Sequence, residues 1–376
     1  MRIAQIAPLY EAVPPAGYGG TERVIAALCD GLVDLGHEVT LFAADTSTTR
    51  ARLSVAADAP LRVRLSRREM IELAPHLHLR MLADVYERAD DFDVIHSHVD
   101  VWTLPFAHYA TTPTLLTMHG RLDLDHLRHI LPLYPNIPLV SISNHQRLAL
   151  DGLGLRWAAT VYNGLELGRY HASTRRRGDH LAFIGRINTE KGPAMAVEIA
   201  RLSGRSLHVA AKIDPLDADY YRDEIEPVFR ANDVWFMGEL TEDLKPDFYA
   251  GAAATLFPSD WPEPFGLVMI ESMAAGTPVI ALRRGSVPEI IVDGVTGFIC
   301  DDLDQMVDAV DRLHEIDPDK CRHHAATFGA ASMCAAYERV YDALALRPLR
   351  DDGDRYREEE LLCAPDNATG LNPTRP

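Results

Sequence analysis

Short apolar runs alternate with amphipathic stretches along nearly the whole chain. Residues 3–7 read as a buried strand, and residues 21–35 carry apolar positions at helical spacing until Gly36 ends the pattern. Residues 38–43 form the next apolar run. Others follow at 94–97, 114–118 and 139–143, each with polar or helical sequence after it. Strands that are apolar throughout, alternating with helices, imply parallel sheets covered on both faces. Residues 163–180 break the pattern: Asn163-Gly164 is a turn signal, and Arg175-Arg-Arg-Gly-Asp is polar and unsuited to a strand. The alternation then restarts, with strands predicted at 180–184, 206–211, 234–237, 253–257, 279–281 and 297–299 and a helix over 193–202. Two successive doubly wound α/β halves are implied, over residues 1–165 and 175–328, with a cleft between them. Ligands of such sheets lie beyond the carboxyl ends of the strands. A long amphipathic helix is predicted over 330–346, and the Asp-, Glu-, Pro- and Asn-rich segment 347–376 reads as a disordered tail.

A length of 376 residues suits two domains, each with its own core. The net charge of −18 argues against a nucleic-acid partner, which needs a basic surface, but leaves room for a small anion held by a few local cations. No window reaches the roughly 18 apolar residues of a membrane span. The opening apolar run is too short for a signal peptide, so a cytoplasmic location is expected. Five scattered cysteines, with no Cys-x2-Cys pair, indicate neither a zinc site nor a disulfide framework. Arg62, Arg64, Arg67, Arg68, Arg80 and Arg88 concentrate in one segment; a solvated helix face is preferred there over peripheral docking on anionic lipid. Nothing in the chain indicates an oligomeric state.

The most informative stretch is Pro258-Ser-Asp-Trp-Pro-Glu263-Pro-Phe-Gly-Leu-Val-Met-Ile-Glu271. Pro264, Phe265, Gly266, Leu267 and Val268 are predicted to open a helix, whose free N–H groups and dipole suit a phosphate. Glu263 precedes that start, and Glu271 is expected about one and a half to two turns in. One carboxylate can then reach each side of a diphosphate, which is where a sugar nucleotide carries its hydroxyl-bearing rings. Gly185-Arg186…Lys191-Gly192 ends the first strand of the second half and offers two cations for phosphate oxygens; on its own the segment reads more simply as two surface cations. Gly17-Tyr-Gly-Gly-Thr-Glu22 follows the first strand and permits close backbone approach, although it lacks the dinucleotide-binding spacing. His119 ends a predicted strand, as a sugar or acceptor contact or as a structural histidine. His96-Ser-His98 has metal-like spacing without a clearly placed third ligand, and no Asp-x-Asp motif occurs, so no metal and no cofactor is expected.

Taken in order, Gly19-Gly20-Thr-Glu22, Gly185-Arg186…Lys191-Gly192, Pro258…Glu271, Gly276-Thr-Pro-Val and Pro288-Glu-Ile-Ile-Val-Asp-Gly-Val-Thr-Gly297 resemble a retaining glycosyltransferase of family 4. The resemblance covers about residues 1–345. It implies a GT-B fold, with two Rossmann-like domains around an interdomain cleft and the last helix crossing back onto the first domain. It further implies that Gly19 and Gly20 line the diphosphate, Arg186 and Lys191 hold it, Glu263 binds donor-sugar hydroxyls and Glu271 grips the ribose. His119 is implied beside the transferred sugar, Ser143 at another strand end facing the cleft, and residues 264–268 as support for phosphate and sugar. The implied reaction moves a hexose from a nucleotide-diphosphate sugar, most commonly UDP-linked, to an acceptor hydroxyl with retention and without a metal. The opening segment is similar to a bacterial subgroup that includes pterin glucosyltransferases. A glycoside hydrolase, a sugar-nucleotide epimerase and a non-catalytic sugar-nucleotide-binding protein are the alternatives.

Overall fold

The structure, a computed structural model, describes residues 1–172 and 178–346. The Arg175-Arg-Arg stretch and the segment from 347 onward, assigned above to a linker and a tail, lie outside the described residues. The first domain is a seven-stranded parallel sheet: β1 (Arg2–Ile6), β2 (Glu38–Ala44), β3 (Arg52–Ala57), β4 (Val94–Ser97), β5 (Thr114–Met118), β6 (Leu139–Ser141) and β7 (Trp157–Thr160). Their order is β3-β2-β1-β4-β5-β6-β7, so the chain reverses direction across the sheet between β1 and β4. The second domain holds β8 (Leu181–Arg186), β9 (Leu207–Lys212), β10 (Trp235–Phe236), β11 (Ala254–Phe257), β12 (Val279–Leu282) and β13 (Gly297–Cys300), ordered β10-β9-β8-β11-β12-β13. Its reversal lies between β8 and β11. These two switch points are where a doubly wound sheet leaves a crevice at its carboxyl edge.

The apolar runs form strands because both faces are covered: residues 3–6 of β1 are all fully buried. The helices that position the site are α1 (Gly20–Asp34), α2 (Ala74–Glu87), α3 (Asn144–Leu148), α4 (Pro193–Leu202), α5 (Lys245–Gly251), α6 (Leu267–Ala274), α7 (Val287–Ile290) and α8 (Ala330–Ala345). Apolar patterning does not reveal β3 and β7, because both are sheet-edge strands with several half-exposed positions.

Helix α8 belongs physically to the first domain. It packs along α1, where a Cβ on Gly31 would lie 2.4 Å from Cys334 Sγ, so only glycine admits the approach. Tyr337 and Tyr341 of α8 are buried among side chains of β1, β4 and β5. The arginine-rich segment is laced to local carboxylates: Arg62, Arg64, Arg68, Arg80 and Arg88 each lie within 4.0 Å of one. Among the described residues no helix is long and apolar enough to cross a membrane.

Candidate active site

The carboxyl edges of the two sheets face one cavity of about 620 Å³. The first domain lines it with the loop after β1 (Tyr10, Tyr18, Gly19), with Gly20, Glu22 and Arg23 of α1, and with residues after β4 and β5, including Trp102 and His119. The second domain lines it with Lys191 after β8, Lys212 at the end of β9, Glu239 after β10, and Glu263 through Val268 with Glu271 after β11.

The helix start predicted from Pro264 onward begins slightly later. Gly266 caps α6 at φ 84°, and a Cβ there would meet Met269 Cε at 2.6 Å. Leu267 and Val268 are the first two helical residues and line the cavity; at these positions backbone N–H groups lack intrahelical acceptors. Glu271 is therefore the fifth helical residue, nearer the start than expected. Glu263 lies three residues ahead of the cap and is ion-paired to Lys191. The Lys191 ammonium also lies over the rings of Trp261 (5.2 Å) and Phe257 (5.9 Å). A short turn, Thr189–Lys191, aims it: Asn188 Oδ1 accepts from Lys191 N at 3.0 Å.

Glu271 is fully buried and held by groups that the sequence did not single out. Tyr249 Oη donates to it at 2.7 Å, Lys245 Nζ at 3.3 Å, and Arg23 Nη1 lies at 3.8 Å. Burial pushes the Glu271 carboxyl up, but Lys245, Arg23 and the Tyr249 hydroxyl together outweigh it and hold the group below the usual carboxylate range. Glu242 closes the cluster, 2.7 Å from Arg23 and 2.6 Å from Lys245. Arg23 comes from the first domain and the four others, Tyr249, Lys245, Glu242 and Glu271, from the second, so this network also ties the domains together. Lys245 carried one available signal: the chain has only four lysines (Lys191, Lys212, Lys245 and Lys320), and three of them line this site.

Two further carboxylates bridge the domains. Glu239 Oε1 accepts from Tyr18 N at 2.5 Å, and Glu289 of α7 accepts from Asn144 N (2.8 Å), His145 N (2.7 Å) and Tyr162 Oη (2.9 Å). Glu289 thus satisfies two orphan donors at the start of α3 from across the domain boundary.

Two expected site residues sit elsewhere. Arg186 does not line the cavity; its guanidinium lies between Asp217 (3.5 Å) and Glu190 (3.9 Å), carboxylates of its own and the neighbouring loop. Ser143 does not line it either. It is the N-cap of α3, and its Oγ accepts from Gln146 N at 3.1 Å, so capping rather than ligand contact occupies the hydroxyl.

His119 does line the cavity, with its Nε2 2.8 Å from His98 Nδ1. Burial drives its pKa down to about 4, so the ring is neutral near pH 7. His96 and His98 are hydrogen-bonded within the protein, and among the described residues no group of three or more His, Cys, Asp or Glu side chains is disposed to hold a metal. Glu22 is buried, lines the cavity and, among the described residues, has a hydrogen bond only from its own backbone N–H. Burial raises its pKa to about 7, with a smaller push from Glu11 that Arg62 and Arg23 oppose.

Two family models match along the chain. Glycosyltransferase Family 4 takes in residues 18–167, and Glycosyl transferases group 1 takes in residues 174–329, so that together they take in most of both domains and most of the residues that line the cavity. The chain is a GT-B glycosyltransferase of the group 1 and family 4 type. This glycosyltransferase is 26% identical over 321 residues to a D-inositol 3-phosphate glycosyltransferase of Corynebacterium diphtheriae, covering 70% of this chain and 74% of that one. Among solved structures it resembles AviGT4, a glycosyltransferase involved in avilamycin A biosynthesis, with a TM-score of 0.67, 25% identity and coverage of 92% and 98%. It shares its fold with Anabaena Alr3699/HepE, solved in complex with UDP and glucose, at a TM-score of 0.71 and 18% identity, with coverage of 92% and 100%.

Proposed function

We propose that this glycosyltransferase moves a hexose from a UDP-linked donor to an acceptor hydroxyl, with retention of configuration and without a metal. The observation that carries the reading is the pairing of Lys191 with Glu263 beside the Gly266-capped start of α6, with Glu271 further along the same helix and all of them in one interdomain cavity. The diphosphate fits at that helix start, against Gly19, Gly20 and the first N–H groups of α6. Lys191 then exchanges Glu263 for a phosphate oxygen, which frees the Glu263 carboxylate for sugar hydroxyls. Arg186 reaches the diphosphate by leaving Asp217. The ribose meets Glu271. That HepE has been solved with UDP and glucose supports a uridine donor on the same fold.

In the transfer step the donor C1–O bond breaks and its electron pair passes to the diphosphate. The acceptor oxygen bonds C1 from the same face, and its proton passes to the departing diphosphate oxygen. At about 4 Å and an effective dielectric near 20, each cation–phosphate pair supplies on the order of 4 kcal/mol before desolvation. That contribution grows as charge develops on the leaving group, so it lowers the barrier. Closure of the domains excludes water and limits hydrolysis of the donor.

The acceptor belongs in the first-domain half of the cavity. There Tyr10, His78 and Trp102 form a wall of rings with centroids 4.9–5.0 Å apart, and Glu22 offers a carboxyl with no other residue bonded to it among the described residues. A flat heterocycle with adjacent N–H donors and a hydroxyl-bearing side chain, such as a pterin, suits that chemistry. A cytoplasmic enzyme is consistent with such substrates. UDP release from UDP-glucose, followed with and without a pterin acceptor, tests the reading. Acceptor-dependent release is expected; release that ignores the acceptor would instead indicate a hydrolase, and no release at all a binding protein.

A further inference from the structure

Behind His119 runs an unbroken chain of buried polar side chains that ends in the C-terminal helix. His98 Nδ1 meets His119 Nε2 at 2.8 Å, and His98 Nε2 meets Gln5 Oε1 at 2.9 Å. Gln5 Nε2 donates to Tyr341 Oη at 3.0 Å, and that oxygen lies 2.7 Å from His96 Nδ1. His96 Nε2 meets Thr117 Oγ1 at 2.7 Å, which in turn meets Tyr337 Oη at 2.9 Å. Every member except His119 is at most 4% exposed. Strands β1, β4 and β5, the residues just past the ends of β4 and β5, and α8 supply these groups, so the wire exists only because α8 packs back on the first domain.

Burial holds His96 and His98 far below their usual pKa, so each ring is neutral and carries one donor and one acceptor. The direction of every bond then follows from one amide. Gln5 Oε1 can only accept, so the His98 proton sits on Nε2 and His98 Nδ1 is an acceptor. His119 must therefore donate from Nε2, which leaves its Nδ1 with a lone pair and no protein partner among the described residues. On the other side Gln5 Nε2 can only donate, so the Tyr341 hydroxyl donates its hydrogen bond to His96 Nδ1, and His96 donates from Nε2 to Thr117. Turning the Gln5 amide over would invert all of these bonds together and give His119 an Nδ1–H. Mixed arrangements leave a buried donor facing a donor, or an acceptor facing an acceptor, at a cost of about 1–3 kcal/mol. The chain is accordingly two-valued, and Gln5 selects the value.

We propose that Gln5, which lies outside the cavity, is the positioning residue that fixes His119 as a hydrogen-bond acceptor, so that its Nδ1 accepts a hydrogen bond from a hydroxyl of the transferred sugar. This rests on the proposed donor site for its purpose but not for its test. The tautomers are read directly from two-bond ¹H–¹⁵N correlations of the histidine rings at pH 7.5, in full-length ¹⁵N-labelled protein without substrate. Resonances are assigned by their loss in H96Q, H98Q and H119Q. Wild type is expected to show Nε2–H at all three rings.

Two substitutions separate this role from simple packing. In Gln5→Glu the carboxylate accepts at both ends, so His98 and His119 keep Nε2–H while His96 alone inverts to Nδ1–H. In Gln5→Leu the selector is gone, and His119 is expected to gain the Nδ1–H form. With UDP-glucose the Leu variant should raise donor KM by about tenfold, the order of one net hydrogen bond, with little change in kcat, and the Glu variant should restore it. An Nδ1–H His119 in wild type overturns the proposal, as does an unchanged His119 tautomer in Gln5→Leu. Should the Leu variant not fold, the wild-type spectrum and the inversion of His96 alone in Gln5→Glu decide the matter. If UDP-glucose proves not to be a donor, the ring spectra stand unaffected, and the proposed function fails without them.

Discussion

The two walls of the cavity are built on opposite electrostatic plans. On the second-domain wall charges answer one another: Lys191 with Glu263, and Glu271 with Lys245 and the incoming Arg23. On the first-domain wall the buried groups are neutral or free of partners, with three low-pKa histidines in a hydrogen-bonded chain and Glu22 with no other residue bonded to it among the described residues. A wall of pre-paired charges suits a ligand that is itself charged, since a diphosphate can replace Glu263 as the partner of Lys191 without leaving a bare ion. A wall of neutral polar groups suits hydroxyls and N–H donors, which need direction more than charge.

The contrast is broken most severely at Glu271. Glu271→Ala leaves Lys245 and Arg23 buried around a missing anion, and loss of one partner from a buried network costs about 3–5 kcal/mol. Chemical denaturation should show that loss, with a change in midpoint rather than in slope. Lys191→Ala acts on the same wall with a different outcome. The ammonium is partly exposed and its loss is structurally mild, but the developing charge on the diphosphate loses a partner. Turnover in the UDP-release assay should fall by about 10²–10³-fold, with KM for the donor changed much less. Near-normal turnover would remove the charge role from this wall.

Glu22 sharpens the comparison from the other side, through pH. Its carboxyl keeps a proton in the folded protein up to about pH 7, whereas in the unfolded chain it loses that proton near its usual 4.5. Between those values the folded state binds more protons than the unfolded one. Stability therefore falls as pH rises from about 4.5 to about 7 and is level above. The full span corresponds to at most about 3 kcal/mol. Glu22→Gln should abolish that fall and be the more stable protein at pH 8, while weakening the acceptor. Denaturation midpoints of both proteins at pH 5 and pH 8 check it; parallel curves would show that Glu22 is not the buried acid described here.

The second-domain wall was far more legible in sequence than the first. Lys191, Glu263, Gly266 and Glu271 lie on two loops whose geometry is local: a strand end, a turn and a helix start. Their spacing carries most of the information. Even there the sequence placed Glu271 too deep in the helix, because it put the start at Pro264, whereas the left-handed Gly266 postpones it. The first-domain wall draws on β1, β4, β5 and α8, and no spacing rule links Gln5 to Tyr341. His96-Ser-His98 was noticed for metal-like spacing. In the fold the two rings are instead joined through Gln5 and Tyr341, and His98 alone meets His119. Arg23 was passed over since an arginine on a polar helix face is ordinarily solvated; only the approach of the second domain buries it. The strand pattern gave the layered architecture readily because both faces of a parallel sheet are apolar, and it failed at the edges, β3 and β7, where one side is open.

Ser143 is the gentlest probe, and it bears directly on which residues make the donor site. The resemblance to family 4 put it at a strand end facing the cleft, whereas in the fold it is fully buried and caps α3. Ser143→Ala removes one side-chain acceptor from the helix start and should cost about 1 kcal/mol. The loss is moderated because Glu289 still accepts from Asn144 and His145 in the same first turn. If the hydroxyl only caps, donor KM and kcat stay within about twofold of wild type while the denaturation midpoint drops. A donor KM raised tenfold with unchanged stability would instead return Ser143 to the ligand, and would mean that the first-domain wall reaches further around the diphosphate than its lining residues indicate. Pairing the substitution with Glu289→Gln separates the two cases. Two caps on one helix end are expected to be non-additive in stability, because both hold the same first turn and its fraying after one loss weakens what the other can contribute, whereas a ligand contact at Ser143 would leave the two effects additive.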